Sequence, residues 1–400
     1  LKNTVLLLWL LIASLCCAQQ SNEDYPFLSK TYVQFNLGMI FNDFNEEQLQ
    51  DGFTYDGTNP NRFSGRILLG YEFAPDWAIQ YGVLRPASWF EYEKVSGTNL
   101  SKTVWTNVWS LTAKKDFHLN DRWGVFIEAG PATVARKGFT LGTETGVEDY
   151  RYLSILAAAG ITYKLSDQWE LLAHAVHIPK DQQNQPSIQN YSVGVQYNLN
   201  ELAPKTNGEN ASDRPFFPTH TFQIGYGNDF IGYAPNKIFS MNARIGGTES
   251  LGIPIFWYGD AKASNTVLAN YTKTVYKSNK FFSLGYGASV TAFENSIDKK
   301  WTSALSIYPH INFFFWRREG FDAYATYSVI GPTFITREDI DGVETGPKVT
   351  YQDFIAAGAY FGADRKWNAE LKIIHYSNGN IFPRNDGVAV PIVFQLGYQW

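Results

Sequence analysis

Along most of this 400-residue chain, apolar and polar side chains alternate one by one. Ile67, Leu69, Tyr71 and Phe73 run against Arg66 and Glu72, and Val193, Val195, Tyr197 and Leu199 against Ser192 and Gln196. A period of two sends successive side chains to opposite faces of a strand, so each such run carries one apolar and one polar face. After the N-terminus no stretch of about 20 consecutive apolar residues occurs, which argues against a helical membrane protein. A transmembrane β-barrel needs only alternate apolar residues, with lipid outside and polar groups inside. Aromatics make up 16% of the chain, and Tyr (24) with Trp (12) outnumber Phe (29). Amphipathic rings in that excess suit the girdles at the two membrane interfaces. A net charge of -5 gives no reason to expect a nucleic-acid partner.

The first residues, LKNTVLLLWLLIASLCCAQQ, combine a basic start, an apolar core and small residues before Gln19. They read as a signal peptide over 1–18. Both cysteines, Cys16 and Cys17, fall inside it, so no disulfide framework is expected. Eight strand-like runs follow, at 31–41, 62–73, 77–92, 104–117, 123–139, 150–165, 169–178 and 188–199. Their short turns repeat a pattern, APDW, LNDRW and LSDQW, with ADRKW as a fourth in the second half. Each sets Asp in a tight turn and a Trp where the next strand enters the interface. The opposite connections are longer and polar, the asymmetry of outer-membrane barrels. This half, residues 19–203, resembles the eight-stranded OmpA/OmpW-like barrels in pattern. Residues 204–218 are polar and proline-containing and read as a periplasmic linker.

The second half, 219–400, again divides into eight runs, at 219–227, 238–258, 281–293, 301–316, 321–336, 351–362, 367–378 and 388–400. The fold class expected is therefore all-β, with two tandem eight-stranded antiparallel transmembrane barrels. A single sixteen-stranded barrel is the alternative, and it requires a long connection at the end where such barrels keep turns short.

The last two runs carry the chemistry. Leu371, Ile373, His375 and Ser377 share the apolar, lipid-facing parity of 367–378, opposite Glu370, Lys372 and Tyr376. Polar groups turned toward lipid are costly unless something there uses them. Counting strands back from a periplasmic Trp400 puts His375 and Ser377 near the outer leaflet. Serine needs a base to take its proton, and a His two residues away on the same face is within reach. Asn378 offers a backbone N–H for an oxyanion. An incidental polar strand end is the alternative reading of the same spacing.

HYSNG at 375–379, Pro383, Asn385-x-Gly387 and an aromatic-ended last strand together resemble the lipid A 3-O-deacylase family, whose Bacteroidetes members are commonly labelled acyloxyacyl hydrolases. FFSLGYGASVTAF (281–293) and YPHINFFFWR (308–317) extend the likeness. The resemblance implies an outer-membrane serine esterase that removes an acyl chain from lipid A (lipopolysaccharide) at the outer leaflet, without a cofactor. By motif position His375 is then the base, Ser377 the nucleophile and Asn378 the oxyanion residue. The family's acid lies just past Asn-x-Gly, where this chain has Val388, Ala389 and Val390. No Asp or Glu follows Asp386, so Asp386 or Asn385 is the expected group to orient the imidazole. Outer-membrane phospholipase A shares a His-x-Ser-Asn-Gly and is the enzymatic alternative; a two-barrel protein that has lost the acid is the other. No metal is expected, because the acidic loop residues have no fixed ligand spacing. The C-terminal strand is expected to engage the barrel assembly machinery.

Overall fold

The computed structural model describes residues 30–60, 62–87, 89–181, 185–199, 216–231, 233, 244–245, 248–249, 259–278, 281–379, 381–382 and 384–400. The expected signal peptide, most of the expected linker and most of the run 238–258 lie outside these residues.

The first half forms β1 (Thr31–Phe41), β2 (Phe63–Ala74), β3 (Trp77–Pro86), β4 (Lys102–His118), β5 (Trp123–Lys137), β6 (Tyr150–Lys164), β7 (Trp169–Ile178) and β8 (Ile188–Asn198). Neighbours pair antiparallel, β1 pairs with β8, and β4 with β5 completes the ring. The expected run 77–92 is divided. β3 ends at Pro86, and Phe90–Glu93 forms a separate strand against Gly57–Pro60, outside the ring. That small sheet packs Phe90, Tyr92 and Val95 with Phe44, Val104, Phe139 and Val147, an apolar cluster among the long loops.

The second half forms β9 (His220–Asn228), β10 (Ala261–Lys277), β11 (Phe282–Asn295), β12 (Trp301–Arg318), β13 (Phe321–Ile335), β14 (Val349–Phe361), β15 (Trp367–Ser377) and β16 (Val388–Gln399). It is a closed barrel in that order, sealed by β9 against β16. β9 is short, and beyond its end β10 pairs directly with β16, Ala261 to Val388 and Lys262 to Ala389. The second strand of this barrel is thus 261–277 and not 238–258. Its outward residues include Val267, Ala269, Tyr271 and Lys273, too mixed a set for alternation to announce it.

The tight turns work by local capping. Asn120 Oδ1 accepts from the N–H groups of Arg122 and Trp123, both at 2.9 Å, and Ser166 Oγ accepts from Gln168 and Trp169 N–H at 3.2 and 3.1 Å. Trp77, Trp123, Trp169 and Trp367 follow these turns, and all four are exposed, as an interfacial ring requires. Outward residues such as Phe35, Leu37, Ile67, Leu69, Ile224 and Leu371 are exposed as well. On a barrel wall they meet hydrocarbon instead of water.

Polar residues fill both interiors. In the first barrel Arg66 and Glu128, both buried, pair through two contacts, Arg66 Nη1 to Glu128 Oε2 being 3.0 Å, and Thr112 Oγ1 donates to Glu128 at 2.7 Å. In the second, Glu370 accepts from Tyr324 and Gln395, each at 2.7 Å, and lies 3.2 Å from Lys372. Breaking one partner of a buried pair strands a charge and costs about 3–5 kcal/mol, whereas replacing both by apolar residues is often neutral. Glu128→Ala should therefore lower the urea midpoint of the heat-modifiable band strongly. Arg66→Met combined with Glu128→Leu should recover most of the loss.

Candidate active site

β14 and β15 run antiparallel in regular register, Tyr351 opposite Ser377, Asp353 opposite His375 and Ile355 opposite Ile373. Directly paired residues on one face have neighbouring Cβ atoms. His375 Nδ1–H accordingly donates to Asp353 Oδ1 at 2.9 Å. That bond fixes the tautomer and leaves the Nε2 lone pair as the basic site. Ser377 follows on the same face, about 7 Å away at Cα along an extended strand. The even-numbered neighbours point inward. Tyr376 donates to Thr291 Oγ1 at 2.9 Å, and Lys372 meets Glu370.

The loop after β15 curls over this pair. Gly379 and Gly387 adopt φ of +59° and +64°. Gly387 has a second reason to lack a side chain, because a Cβ there would stand 2.7 Å from His375 Nε2. Asn378 is buried at the hinge of the loop. Its backbone N–H donates to Asn385 Oδ1 at 2.7 Å and its Nδ2 to Arg384 O at 3.3 Å. Asn385 therefore supports the residue next to the serine, and its side-chain oxygen is turned to that backbone N–H. Asp386 points elsewhere, with Oδ1 3.5 Å from Lys137 Nζ on β5 of the first barrel.

A carboxylate that the sequence does not supply after Asn-x-Gly thus stands on the other side of His375. Asp353 comes from the strand before it, 22 positions upstream, where it looks like any polar residue in an alternating run. Only the pairing register reveals it. Register also sets which positions face outward on the last strand. An irregularity between Lys372 and Ile374 shifts the pairing of β15 with β16, so that Ile374 meets Val390 and His375 meets Ala389. Val388 stands opposite inward-facing Tyr376.

His375 and Ser377 are 1% and 7% exposed, far below outward neighbours such as Leu371 at 49%. Their parity is the outward one that alternation predicts, but the wall of the first barrel lies against this face. Trp109 of β4 touches the position where a Gly379 Cβ would be, with Cζ2 2.8 Å from it. Arg151 of β6 donates from Nη2 to Phe382 O at 2.8 Å. At the opposite end of the barrels Tyr197 Oη and Tyr276 Oη are 2.8 Å apart.

Residues 8–198 match the family model for an outer membrane protein beta-barrel domain, and residues 265–397 match that for lipid A 3-O-deacylase (PagL). Comparison with curated proteins gives no match. Among solved structures the chain is similar to the outer membrane enzyme PagL (14% identity, 45% of this chain and 99% of that one, TM-score 0.32). It is also similar to Neisserial surface protein A (14%, 42% and 97%, 0.31) and to the N-terminal barrel domain of Pseudomonas aeruginosa OprF (12%, 42% and 96%, 0.28). At these values the structural likenesses carry no argument about activity. The family models and the two rings agree on an integral outer-membrane β-barrel protein, and the second barrel carries the pattern of an outer-membrane hydrolase at family level.

A carboxylate that orients a His and stabilises the imidazolium accounts for up to about 10⁴-fold in turnover in serine hydrolases. Asp353→Ala should lower hydrolysis of an ester probe by orders of magnitude, while Asp386→Ala, whose carboxylate faces Lys137 and not His375, should leave it nearly unchanged. The two variants, assayed side by side, decide which carboxylate serves His375.

Proposed function

We propose that this protein is an outer-membrane serine esterase that removes an acyl chain from lipid A. The observation that supports it most is the Asp353–His375 hydrogen bond beside Ser377, at the barrel end away from the tight turns and inside the segment that matches the deacylase model. In this reading His375 Nε2 takes the Ser377 proton as Oγ attacks the ester carbonyl, and Asp353 stabilises the imidazolium. The tetrahedral intermediate collapses to a Ser377 ester and a free hydroxyl on the sugar, which takes the proton back from His375. Water, activated by the same imidazole, then releases the fatty acid.

Stabilisation of the oxyanion falls to donors near Ser377. Asn378 is the residue in position, and its N–H is shared with Asn385 Oδ1 in the resting arrangement. A loop shift of that one hydrogen bond frees the donor for the intermediate. Lipid A is the substrate class, the outer leaflet the place, and the last strand, ending in Trp400, the segment offered to the assembly machinery.

Mass spectrometry of lipid A from cells with and without the protein tests the reading. Loss of one hydroxyacyl mass on expression is the result expected, and Ser377→Ala should abolish it while the protein still reaches the membrane and keeps its heat-modifiable mobility. Accumulation of lysophospholipid with unchanged lipid A would replace the deacylase by a phospholipase, and an active Ser377→Ala variant would exclude the serine mechanism.

A further inference from the structure

The outer wall of the first barrel carries a polar side chain that its own fold leaves unused. On β4, Thr106, Val108, Ser110 and Thr112 are buried inside, so parity turns Trp105, Asn107, Trp109 and Leu111 outward. Leu111 is 49% exposed, as a lipid-facing residue is, but Asn107 is 1% exposed. Ala135, opposite Asn107 on β5 and outward like it, is 1% exposed as well. The neighbours of this pair show what covers it. Trp109, the next outward residue of β4, lies against Gly379. Arg151, opposite Ala135 on β6, donates to Phe382 O, and Lys137, the next outward residue of β5, faces Asp386. Asn107 and Ala135 therefore sit in the seam between the barrels, under the loop that follows Ser377. There Oδ1 and Nδ2 of Asn107 and Nε1–H of Trp109 are all buried without hydrogen-bond partners among the described residues. An amide buried and unpaired at both ends is costly, and the large majority of such groups in folded proteins have a partner. An apolar residue would fill the same place on a barrel wall without that cost.

We propose that Asn107 and Trp109 form a headgroup subsite of the hydrolase, built by the first barrel, that hydrogen-bonds the acylated sugar of the lipid substrate. The substrate class rests on the esterase reading above. The donor and acceptor set selects the group that is bound. Asn107 offers an acceptor and a donor side by side, and Trp109 adds a donor. A carboxamide or a hydroxyl on the sugar answers with both kinds. A phosphate has acceptors only and would set its charge against Asn107 Oδ1, so the bound group is a neutral one. Lifting the loop gives up the Arg151 bond and the Lys137 contact, and the entering headgroup supplies the partners that the closed seam lacks. These contacts form on binding and persist through the reaction, so their loss should appear in Kd and KM and not in kcat.

The test uses the full chain in detergent micelles with purified lipid A. Binding is measured on the Ser377→Ala protein, and hydrolysis, as released fatty acid, on the chain with Ser377 intact. Asn107→Leu should weaken lipid A binding about 5- to 10-fold, the range for one or two lost hydrogen bonds, and raise KM by a similar factor with kcat nearly unchanged. Trp109→Phe keeps the ring against Gly379, removes the donor and should weaken binding about 3-fold. An unpaired amide adds nothing to the hold of the seam, so Asn107→Leu should keep or raise the urea midpoint of the heat-modifiable band. A lowered midpoint with unaltered Kd would make Asn107 structural and overturn the subsite, as would an unaltered Kd in both variants. An Asn107→Leu effect that vanishes on dephosphorylated lipid A would assign the contact to a phosphate and overturn the neutral group. Trp109→Phe carries the test should Asn107→Leu fail to fold. An Asn107-dependent Kd without hydrolysis by the unaltered chain would overturn the esterase reading and leave the subsite standing. Hydrolysis with an Asn107-independent Kd would do the reverse.

Discussion

A backbone N–H or C=O in hydrocarbon has no water to turn to, and everything in this molecule follows from that. A strand in lipid must be paired on both edges, so the chain has to close its sheets. It does so twice, with β4 against β5 and with β9 against β16. Closure fixes register, and register decides which side chains stand opposite one another. Asp353 and His375 are neighbours because two strands are aligned to satisfy their amides, and no loop has to find the contact. A site on such a wall is preorganised by the same hydrogen bonds that make the wall possible.

The two faces of the wall treat polarity differently. Inside, a carboxylate such as Glu370 is surrounded by Tyr324, Gln395 and Lys372 and does structural work. Outside, every polar group has to be explained. His375, Ser377 and Asp353 are outward by parity, and the strand register gathers them at one place. The concentration of costly groups at a single spot is the physical reason to look for chemistry there.

Much of this was legible in the sequence. Alternation placed most wall strands within a few residues, and the Asp–Trp motifs marked the end with the tight turns, because both signals are local. β10 was not, since its outward side mixes Val267 with Lys273 and its start lies beyond a long insertion. His375 and Ser377 were found by parity on one strand. Asp353 was not, because a cross-strand partner has no fixed distance in sequence; a search for an outward Asp or Glu on the preceding strand would have found it. Parity counted back from Trp400 does not carry as far as 388–390 for a related reason, since a single irregularity in pairing flips every residue beyond it. Parity also identifies the face without saying what covers it, so alternation alone did not announce the first barrel's presence over the site.

The connection between the barrels has a further effect. β8 ends at Asn198 and β9 begins at His220, and just before β9 Phe216 and Phe217 pack on Tyr360 and Phe314 at the barrel mouth, with Arg317 Nη1 donating to Phe216 O at 2.6 Å. The tether is thus pinned at one end. Two bodies confined to the same bilayer and joined by so few residues experience an effective concentration in the millimolar range or above. An interface between them need not be strong to be occupied, so a seam of a few polar contacts can hold the barrels together and still part to admit a lipid.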